Sequence, residues 1–550
     1  MTKARAIDLY SGVGGWSLGL RLAGIDVAGS YERSATANET NRLNNNHPTH
    51  TCDIRALSLD EFRGPVDYLV GSPPCTQFSL ANRGGSGDLE DGLKDVARFL
   101  EIVEFLKPKA WVMENVPRLA SLIDRETLPG GALARFRHLA MKTAVYSLDQ
   151  FGVPQRRKRC LIGNIDFELL SSYRHGAQSV TLRDVLNALS GPVVHDPSFA
   201  DEIPLDSLID NDAEDDLNEE EVRINRSAKT LHPIYNSMPF PDPLDRAART
   251  ITATCTRVSR ESIVVEHPVG SGKFRRLSIR ERACAQGFPI GFQFFGRSHA
   301  EKLKMVGNAM PPVFAYFVAH AMLGTGADKV RSLRGVSTDV NPSERPKQTI
   351  PHKPGFRFRP ERSFRFAIPA LRLKSGVRFE LTNGQADASI DWHVRLTYGT
   401  SKDFRVSRPS AQLATELVTR LKSEWKPKAQ RIFADLDRSL AEVDVAHLQA
   451  VWSHTGPGAT RPFMVLDLLS EKAELLIQEF RSDQRIRPSL EDLISDHLNE
   501  RGTTTISKLL ENCEVIAAGL IVASRANAAL SQVFHRPWSS EQRVRAGRAN

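Results

Sequence analysis

The chain is poor in cysteine, and none of its cysteines is paired in sequence. The six (Cys52, Cys75, Cys160, Cys255, Cys284 and Cys513) are scattered over 550 residues with no C-x-x-C motif. That argues against a disulfide framework or a structural zinc site, so no metal centre is expected, and a reducing cytoplasm is the natural setting. No stretch approaches the ~18 consecutive apolar residues of a membrane span. The opening segment MTKARAIDLYSG has no apolar signal-peptide core. Acidic residues are the minority sign, 65 against 73 basic, giving a net charge of +8 and favouring an anionic partner such as nucleic acid. The acids are also gathered: residues 201–222 carry eleven and no base, which predicts a solvated loop. With 41% hydrophobic and 25% charged residues, global disorder is excluded, and the length allows two to four domains.

The organisation changes along the chain. Up to about residue 115, short β-branched runs alternate with helical stretches: AIDLYSG then WSLGLRLAG, DVAGSYE, VDYLVGSPPC, DVARFLEIVEFLK, and KAWVMENVP. Such alternation predicts a parallel sheet covered on both faces, with ligands beyond the carboxyl ends of its strands. Past residue 165 a polar, Pro- and Asp-rich region reaches to about 275. The stretch SIRERACAQGFP then reads as helix, and MVGNAMPPVFAYFVAHAML as a Gly/Pro turn leading into an apolar helix. Residues 326–364, rich in Pro, Arg and Lys, read as a basic linker. Residues 365–550 read as a separate α+β domain with strands at FRFAIPALRL, GVRFELT and ASIDWHVRLTY and helical periodicity over most of 410–534.

The chemistry-bearing residues fall at the predicted strand ends. The turn DLYSGVGG offers free backbone N–H groups and close approach to a ligand. Glu32, about 20 residues on, ends the second strand where an acid can bind ribose hydroxyls, and Asp53 occupies the next such position; together they point to an adenosine-containing cofactor. Cys75 follows Ser72-Pro73-Pro74, a loop stiff enough to aim a thiol, and Gln155-Arg156-Arg157-Lys158-Arg159 could supply the positive charge that a thiolate needs. Glu114 ends the apolar run WVM, with Asn115 behind it, suitably placed to hand a proton to a ring nitrogen.

In this order the motifs resemble those of bacterial-type DNA (cytosine-5)-methyltransferases: DLYSGVGG, Glu32, CDI at 52–54, GSPPCTQFS at 71–79, MENV at 113–116, FGVPQRRKR at 151–159, RLSIRERACAQGFP at 276–289 and GNAMPP at 307–312. The resemblance covers most of residues 5–325. It implies an S-adenosylmethionine-dependent methyltransferase fold, α/β and Rossmann-like with a mostly parallel sheet. Residues 1–165 and 276–325 would form the catalytic domain, with a target-recognition region inserted at 166–275. By the same resemblance, Asp8, Tyr10, Gly12, Gly14 and Gly15 bind S-adenosylmethionine, with Glu32 on its ribose and Asp53 and Ile54 at its adenine. Pro74, Leu93 and Asn308 would complete that pocket. Cys75 would add to C6 of a flipped-out cytosine, Glu114 would contact N3 and the amino group, Arg159 would hold O2, and Arg157 would support the same pocket. The partner would be double-stranded DNA, with a cognate restriction endonuclease acting on the same site.

The sequence departs from the family at Arg33, where some relatives carry an apolar or aromatic residue against the adenine. Within the inserted region and its flank, Arg257, Arg260 and Arg275 are candidate contacts to base edges or phosphates. Two other readings are the same chemistry on tRNA, against which Cys-Thr-Gln-Phe-Ser looks DNA-type, and a DNA-binding regulator on the same scaffold, against which no catalytic position is visibly degraded. In the last domain, a fused nuclease would have to use Asp467, Glu471 and Lys472, which lie on a helical pattern. An accessory DNA-binding or protein-interaction domain is the preferred reading there.

Overall fold

The computed structural model describes residues 3–62, 65–75, 77–78, 88–139, 141–211, 213–230, 237–351, 361–373, 375–386, 389–399, 404–421, 424–453, 461–498 and 504–530. It divides into two compact units. One comprises Met1–Asn225 and Pro239–His352, the other Arg226–Met238 and Lys353–Asn550.

The first unit is built on a seven-stranded sheet. Its early elements are β1 (Arg5–Leu9), α1 (Gly15–Leu22), β2 (Asp26–Glu32), α2 (Ala35–Asn45), β3 (Thr49–Thr51), β4 (Tyr68–Gly71), α3 (Leu89–Leu106) and β5 (Ala110–Asn115). After α4 (Arg118–Glu126) come β6 (Lys142–Ser147), the two-residue β7 (Gln155–Arg156) and β8 (Lys158–Gly163). The order across the sheet is β3-β2-β1-β4-β5-β8-β6. The first five strands are parallel, and β8 runs antiparallel to both β5 and β6. β4 (YLVG) and β5 (AWVMEN) are buried along their whole length, the expected character of strands covered on both faces. β3 was not apparent in the sequence: its residues, Thr-His-Thr, are polar and half exposed.

The chain reverses its direction of travel across the sheet between β1 and β4, whose ends meet at Leu9 and Gly71. A crevice opens at such a switch point, and both the glycine turn and the Pro-Pro-Cys loop leave the sheet there. Gly15 begins α1 because nothing larger fits: a Cβ would stand 1.8 Å from the Met310 carbonyl oxygen. Gly14 combines a φ of +87° with the Asn41 and Asn45 amides against its α-carbon, so only glycine is tolerated there.

The middle of the unit holds α5 (Phe167–Ser172), α6 (Leu182–Ala188), the hairpin β9 (Val193–His195) and β10 (Glu202–Pro204), and the start of α7 (Glu219–Thr230), whose residues up to Asn225 belong to this unit. β11 (Ala248–Arg249) pairs with β7, and β12 (Val264–Glu266) with β13 (Phe274–Arg276). Then come α8 (Ile279–Ala285), closed by a Ser278/Glu281 capping box, α9 (His299–Asn308), and the apolar α10 (Pro312–Met322), which starts on a proline.

Two expectations about loops are corrected. The acidic run 201–222 is not a solvated loop. Glu214 is fully buried between Arg276 (Nε–Oε2 2.6 Å) and His299 (3.2 Å), Asp210 holds the buried ammonium of Lys302 at 2.6 Å, and Glu219–Glu221 open α7. Nor are residues 326–351 a free linker. Leu333 and Val340 lie in the core of the first unit, Thr338 bonds Asp201, and the Lys347 carbonyl accepts from Lys302. The rest of the basic segment, 352–360, lies outside the described residues.

The second unit carries a four-stranded antiparallel meander, β14 (Arg365–Arg372), β15 (Arg378–Ala386), β16 (Ser389–Gly399) and β17 (Phe404–Ser407). Helices α11 (Leu413–Arg420), α12 (Lys426–Ala441), α13 (Val445–Ser453), α14 (Pro462–Ser482), α15 (Arg487–Leu498), α16 (Thr504–Leu510) and α17 (Cys513–Leu530) follow. α14 and α17 cover one sheet face, where Phe379, Leu381, Val394 and Leu396 are buried. α17 is long and apolar enough to cross a membrane by length and composition, yet 78% of it is buried as the core helix of this unit. On β14–β16, Arg365, Arg378 and Arg395 converge on the buried carboxylate of Glu380. Asp467, Glu471 and Lys472 all lie on α14, with Lys472 paired to Asp435 at 2.7 Å.

Candidate active site

The alternation of a β-strand explains how the basic cluster is sorted. Arg157 and Arg159 are buried or nearly so, whereas Arg156 and Lys158, which alternate with them, face solvent. Glu114 on β5 lies opposite Leu161 of β8, so Arg159, two residues before Leu161, is its diagonal neighbour on the same sheet face. The outcome is a tight pair, with Arg159 Nε 2.6 Å from Glu114 Oε1 and both side chains little exposed. Arg157 is wholly engaged with backbone: its guanidinium donates to the carbonyls of Ile251 (3.1 Å) and Gly307 (3.0 Å). It thereby ties the link between β7 and β8 to the segment after β11 at Ile251 and to the last turn of α9 at Gly307. Burial lowers its pKa to about 9, which still leaves it a cation at neutral pH.

Cys75 stands on the loop after β4. The loop is fastened at three points: Ser72 N–H donates to the Leu9 carbonyl, Trp16 Nε1 donates to Ser72 Oγ, and Asn115 Nδ2 donates to the Pro73 carbonyl at 2.9 Å. Asn115 therefore couples the Cys75 loop to the strand that carries Glu114. Burial pushes the Cys75 thiol up, and Glu114 adds to this, while Arg159 and Arg157 pull in the opposite direction. The thiol thus rests protonated in the free protein.

The glycine turn meets the second strand end through Glu32. Its two carboxylate oxygens accept the N–H groups of Gly12 (3.0 Å) and Ser34 (2.7 Å), which leaves further lone pairs on each oxygen for a ligand hydroxyl. Gly12, at φ +54°, faces open space, with no atom within 4 Å of where a Cβ would stand. An open cradle of backbone beside a carboxylate fits the ribose and tail of a nucleoside cofactor. Tyr10, also at positive φ, donates to Asp95 at 3.2 Å, and Arg55 grips Asp95 with two nitrogens at 2.8 and 2.6 Å.

The remaining expected residues divide. Leu93 on α3 and Ile54 are buried in the core cluster against which Tyr10 packs; Asp53, Pro74 and Asn308 are exposed. Asp8 lies beneath the turn rather than in the cradle. It is fully buried, accepts from Ser17 at 2.7 Å, and is raised to about 7 chiefly by burial. Arg257 and Arg275 are corrected as DNA contacts. Arg257 is buried on Glu221 (2.7 Å) and the carbonyls of Asp215 and Asp216, and Arg275 is buried with two nitrogens on Glu281 at 2.8 Å. A guanidinium so engaged cannot also reach a base edge. Arg260 is half buried.

The residues that sequence reasoning missed are Gln155 and Gln286, buried and bonded to one another, with Gln155 accepting from Ile251 N and Gln286 donating to the Ala309 carbonyl. Both lie within recognised motifs, but only the fold shows them bridging two of those motifs. Arg55 and Asp95 carried no signal beyond being polar at the site's edge.

Comparison with known proteins bears on the same region. The family model for C-5 cytosine-specific DNA methylases matches residues 4–324. The chain is 28% identical over 343 residues to the Type II methyltransferase M1.HphI of Haemophilus parahaemolyticus, covering 58% of this chain and 86% of that one. It is 29% identical over 345 residues to M.HindV of Haemophilus influenzae, covering 60% and 99% respectively. Among solved structures, the S. pombe Dnmt2 methyltransferase aligns over 59% of this chain and 99% of its own at 16% identity, with a TM-score of 0.42. The chain belongs to the C-5 cytosine-specific DNA methylase family, a DNA methyltransferase whose methyl donor is S-adenosylmethionine.

Proposed function

We propose that Cys75 is the nucleophile of this methyltransferase and that Glu114, Arg159 and Arg157 form the pocket for the target cytosine. The observation that carries the reading is the convergence of the tethered Cys75 loop with the 2.6 Å Glu114–Arg159 pair at adjoining strand ends.

Carbon 5 of cytosine is too weak a nucleophile to take a methyl group directly. Addition of Cys75 Sγ to C6 moves the C5–C6 π electrons toward C4, and N3 takes up a proton; the proton lost by the thiol balances the one gained at N3. C5 is then enamine-like. Glu114 would accept from the exocyclic amino group and carry the thiol's proton to N3, and Arg159, paired with Glu114, would donate to O2. Bound S-adenosylmethionine supplies an electrophilic methyl group. Loss of the C5 proton to a base at the site then expels the Cys75 thiolate and restores the C5–C6 double bond, and N3 gives its proton back, through Glu114, to the departing thiolate. The base must leave the duplex stack for this, at a cost of roughly a few kcal/mol.

For the cofactor, Gly12, Gly14 and Gly15 would receive the amino-acid tail, Glu32 the ribose hydroxyls, and Asp53 and Ile54 the adenine, with Tyr10, Pro74, Leu93 and Asn308 closing the pocket. Asp8 would act from below by holding Ser17 and the turn. Residues 166–275 would read the target sequence, with Arg260 the remaining arginine candidate. Because the curated relatives are named Type II methyltransferases, a cognate endonuclease acting on the same site belongs to this reading, as does a cytoplasmic setting that keeps the free Cys75 thiol reduced.

A duplex containing 5-fluorocytosine tests the step. Fluorine cannot leave C5 as a proton does, so methyl transfer should strand the protein on DNA as a denaturation-resistant adduct mapping to Cys75. An adduct at another residue, or full turnover without one, would overturn the assignment.

A further inference from the structure

A chain of hydrogen bonds runs beneath the glycine turn, apart from the chemistry at Cys75. Asp8 Oδ2 on β1 lies 2.7 Å from Ser17 Oγ of α1, Ser17 Oγ meets Ser30 Oγ of β2 at 3.0 Å, and Ser30 Oγ meets His47 Nε2 at 2.5 Å. Asp8, Ser17 and Ser30 are fully buried, whereas His47, between α2 and β3, is half-buried. Each of the three gaps in this chain needs one proton, and the two hydroxyls supply two. The third comes from an end: from His47 Nε2–H with Asp8 ionised, or from Asp8 as a neutral acid with Nε2 accepting. The Asp8 end is a poor place for a charge. Ser17 alone bonds it, Oδ1 has no partner among the described residues, and the Glu32 carboxylate at the end of β2 opposes a second negative charge. A buried anion so thinly solvated is destabilised. Burial accordingly raises Asp8 to about 7. It also lowers His47 to about 4, with Arg21 and Asp26 acting on the ring in opposite directions. At pH 7 His47 is therefore a neutral ring, and Asp8 is near its midpoint.

We infer that Asp8 and His47 are the two ends of a proton relay through Ser17 and Ser30, and that Asp8 gives up its proton when a cation occupies the cofactor cradle. Asp8 is then a positioning residue that favours the sulfonium cofactor over its product, whose sulfur is uncharged. This rests on the reading in which the glycine turn and Glu32 hold S-adenosylmethionine. Ser17 lies in the first turn of α1 and Ser30 two residues before Glu32, so the relay touches both walls of that cradle. The proton balance is complete. The Asp8 proton passes to Ser17 Oγ, the Ser17 proton to Ser30 Oγ, and the Ser30 proton to His47 Nε2. His47 sheds the proton of its other ring nitrogen, Nδ1, to water. One proton leaves, every gap stays filled, and the histidine changes tautomer.

The test is calorimetric titration of the full-length protein at pH 7 in two buffers of different ionisation enthalpy, which counts protons. S-adenosylmethionine should release roughly a third to a half of a proton on binding, and S-adenosylhomocysteine less than about a tenth. Asp8→Asn, whose amide donates to Ser17 as the neutral acid does, should bind S-adenosylmethionine without that release. A second measurement stands whether or not Asp8→Asn folds. Nitrogen NMR of the histidine rings, with His47 identified by its loss in His47→Gln, should show the ring proton moving from Nδ1 to Nε2 between about pH 6 and pH 8. In Ser30→Ala, which cuts the relay, the tautomer should stop changing. Equal proton counts for the two ligands, release undiminished in Asp8→Asn, or a parental His47 tautomer that does not change with pH would each overturn the inference while leaving the cradle reading in place. Failure of both ligands to bind would overturn the cradle reading and the inference with it.

Discussion

Arg159 and Glu114 form an ion pair of 2.6 Å across two antiparallel strands, and the charges of both act on Cys75. The pair has opposite effects on the thiol: the carboxylate raises its pKa and the guanidinium lowers it. Because burial and Glu114 together prevail, Cys75 should be a poor nucleophile in the free protein below the ordinary thiol range, near 8.5.

Alkylation of Cys75 by iodoacetamide, followed by peptide mass spectrometry, reads this directly. The rate should be low at pH 7 and still rising above pH 8.5. Glu114→Gln removes one of the two raising influences and should speed alkylation at pH 7 by roughly three- to tenfold, while abolishing methyl transfer. A Cys75 that reacts equally fast in both proteins would contradict the electrostatic account.

Glu32 is the anchor of the cofactor cradle because it holds the Gly12 and Ser34 N–H groups at once. Glu32→Ala loses two charge-assisted hydrogen bonds and the ribose acceptor. Calorimetric titration with S-adenosylhomocysteine should show at least a tenfold loss of affinity. Unchanged affinity would place the nucleoside elsewhere.

The acidic run makes a separate, structural prediction. Burial alone would raise Glu214, but the His299 hydrogen bond and the charges of Arg276 and Arg282 bring it down to about 2. A carboxylate depressed on folding contributes stability above its unfolded pKa, near 4.3, and loses that contribution as pH falls through about 2. Glu214→Gln leaves Arg276 buried without its counter-charge and should cost about 3–5 kcal/mol at pH 7. In denaturant unfolding, the gap between the two proteins should narrow below pH 4; a gap independent of pH would contradict the assignment.

Much of the site could be read from the chain before its fold was known, and the reason is local. Gly12, Glu32, Cys75 and Glu114 each end or follow a strand with apolar periodicity, so one parallel sheet was enough to gather them at one edge; Arg159 joins them from the start of β8, which runs antiparallel to β5. Of the basic run 155–159, Arg157 and Arg159, which the resemblance assigns to the pocket, are the two that turn inward. What failed depended on contacts distant in sequence. Glu214 reads as a solvated acid until Arg276, 62 residues away, is brought against it. Arg257 reads as a DNA contact for the same reason, its partner Glu221 lying 36 residues away, whereas Arg275 is held by Glu281 only six residues on, a pairing made by the first turn of α8. Thr338 and Leu333 lie in a Pro- and Arg-rich stretch whose composition conceals that it is strapped to the first unit.

The central claim is that Cys75 performs the covalent step of cytosine C5 methylation. Its most direct test is transfer of labelled methyl groups from S-adenosylmethionine to unmethylated genomic DNA by the parent protein and by Cys75→Ser, with methylated positions then read by bisulfite sequencing. The account predicts C5-methylcytosine within one enriched sequence motif for the parent, and no incorporation for Cys75→Ser despite unchanged cofactor binding. Methylation by Cys75→Ser at the parental rate would contradict it.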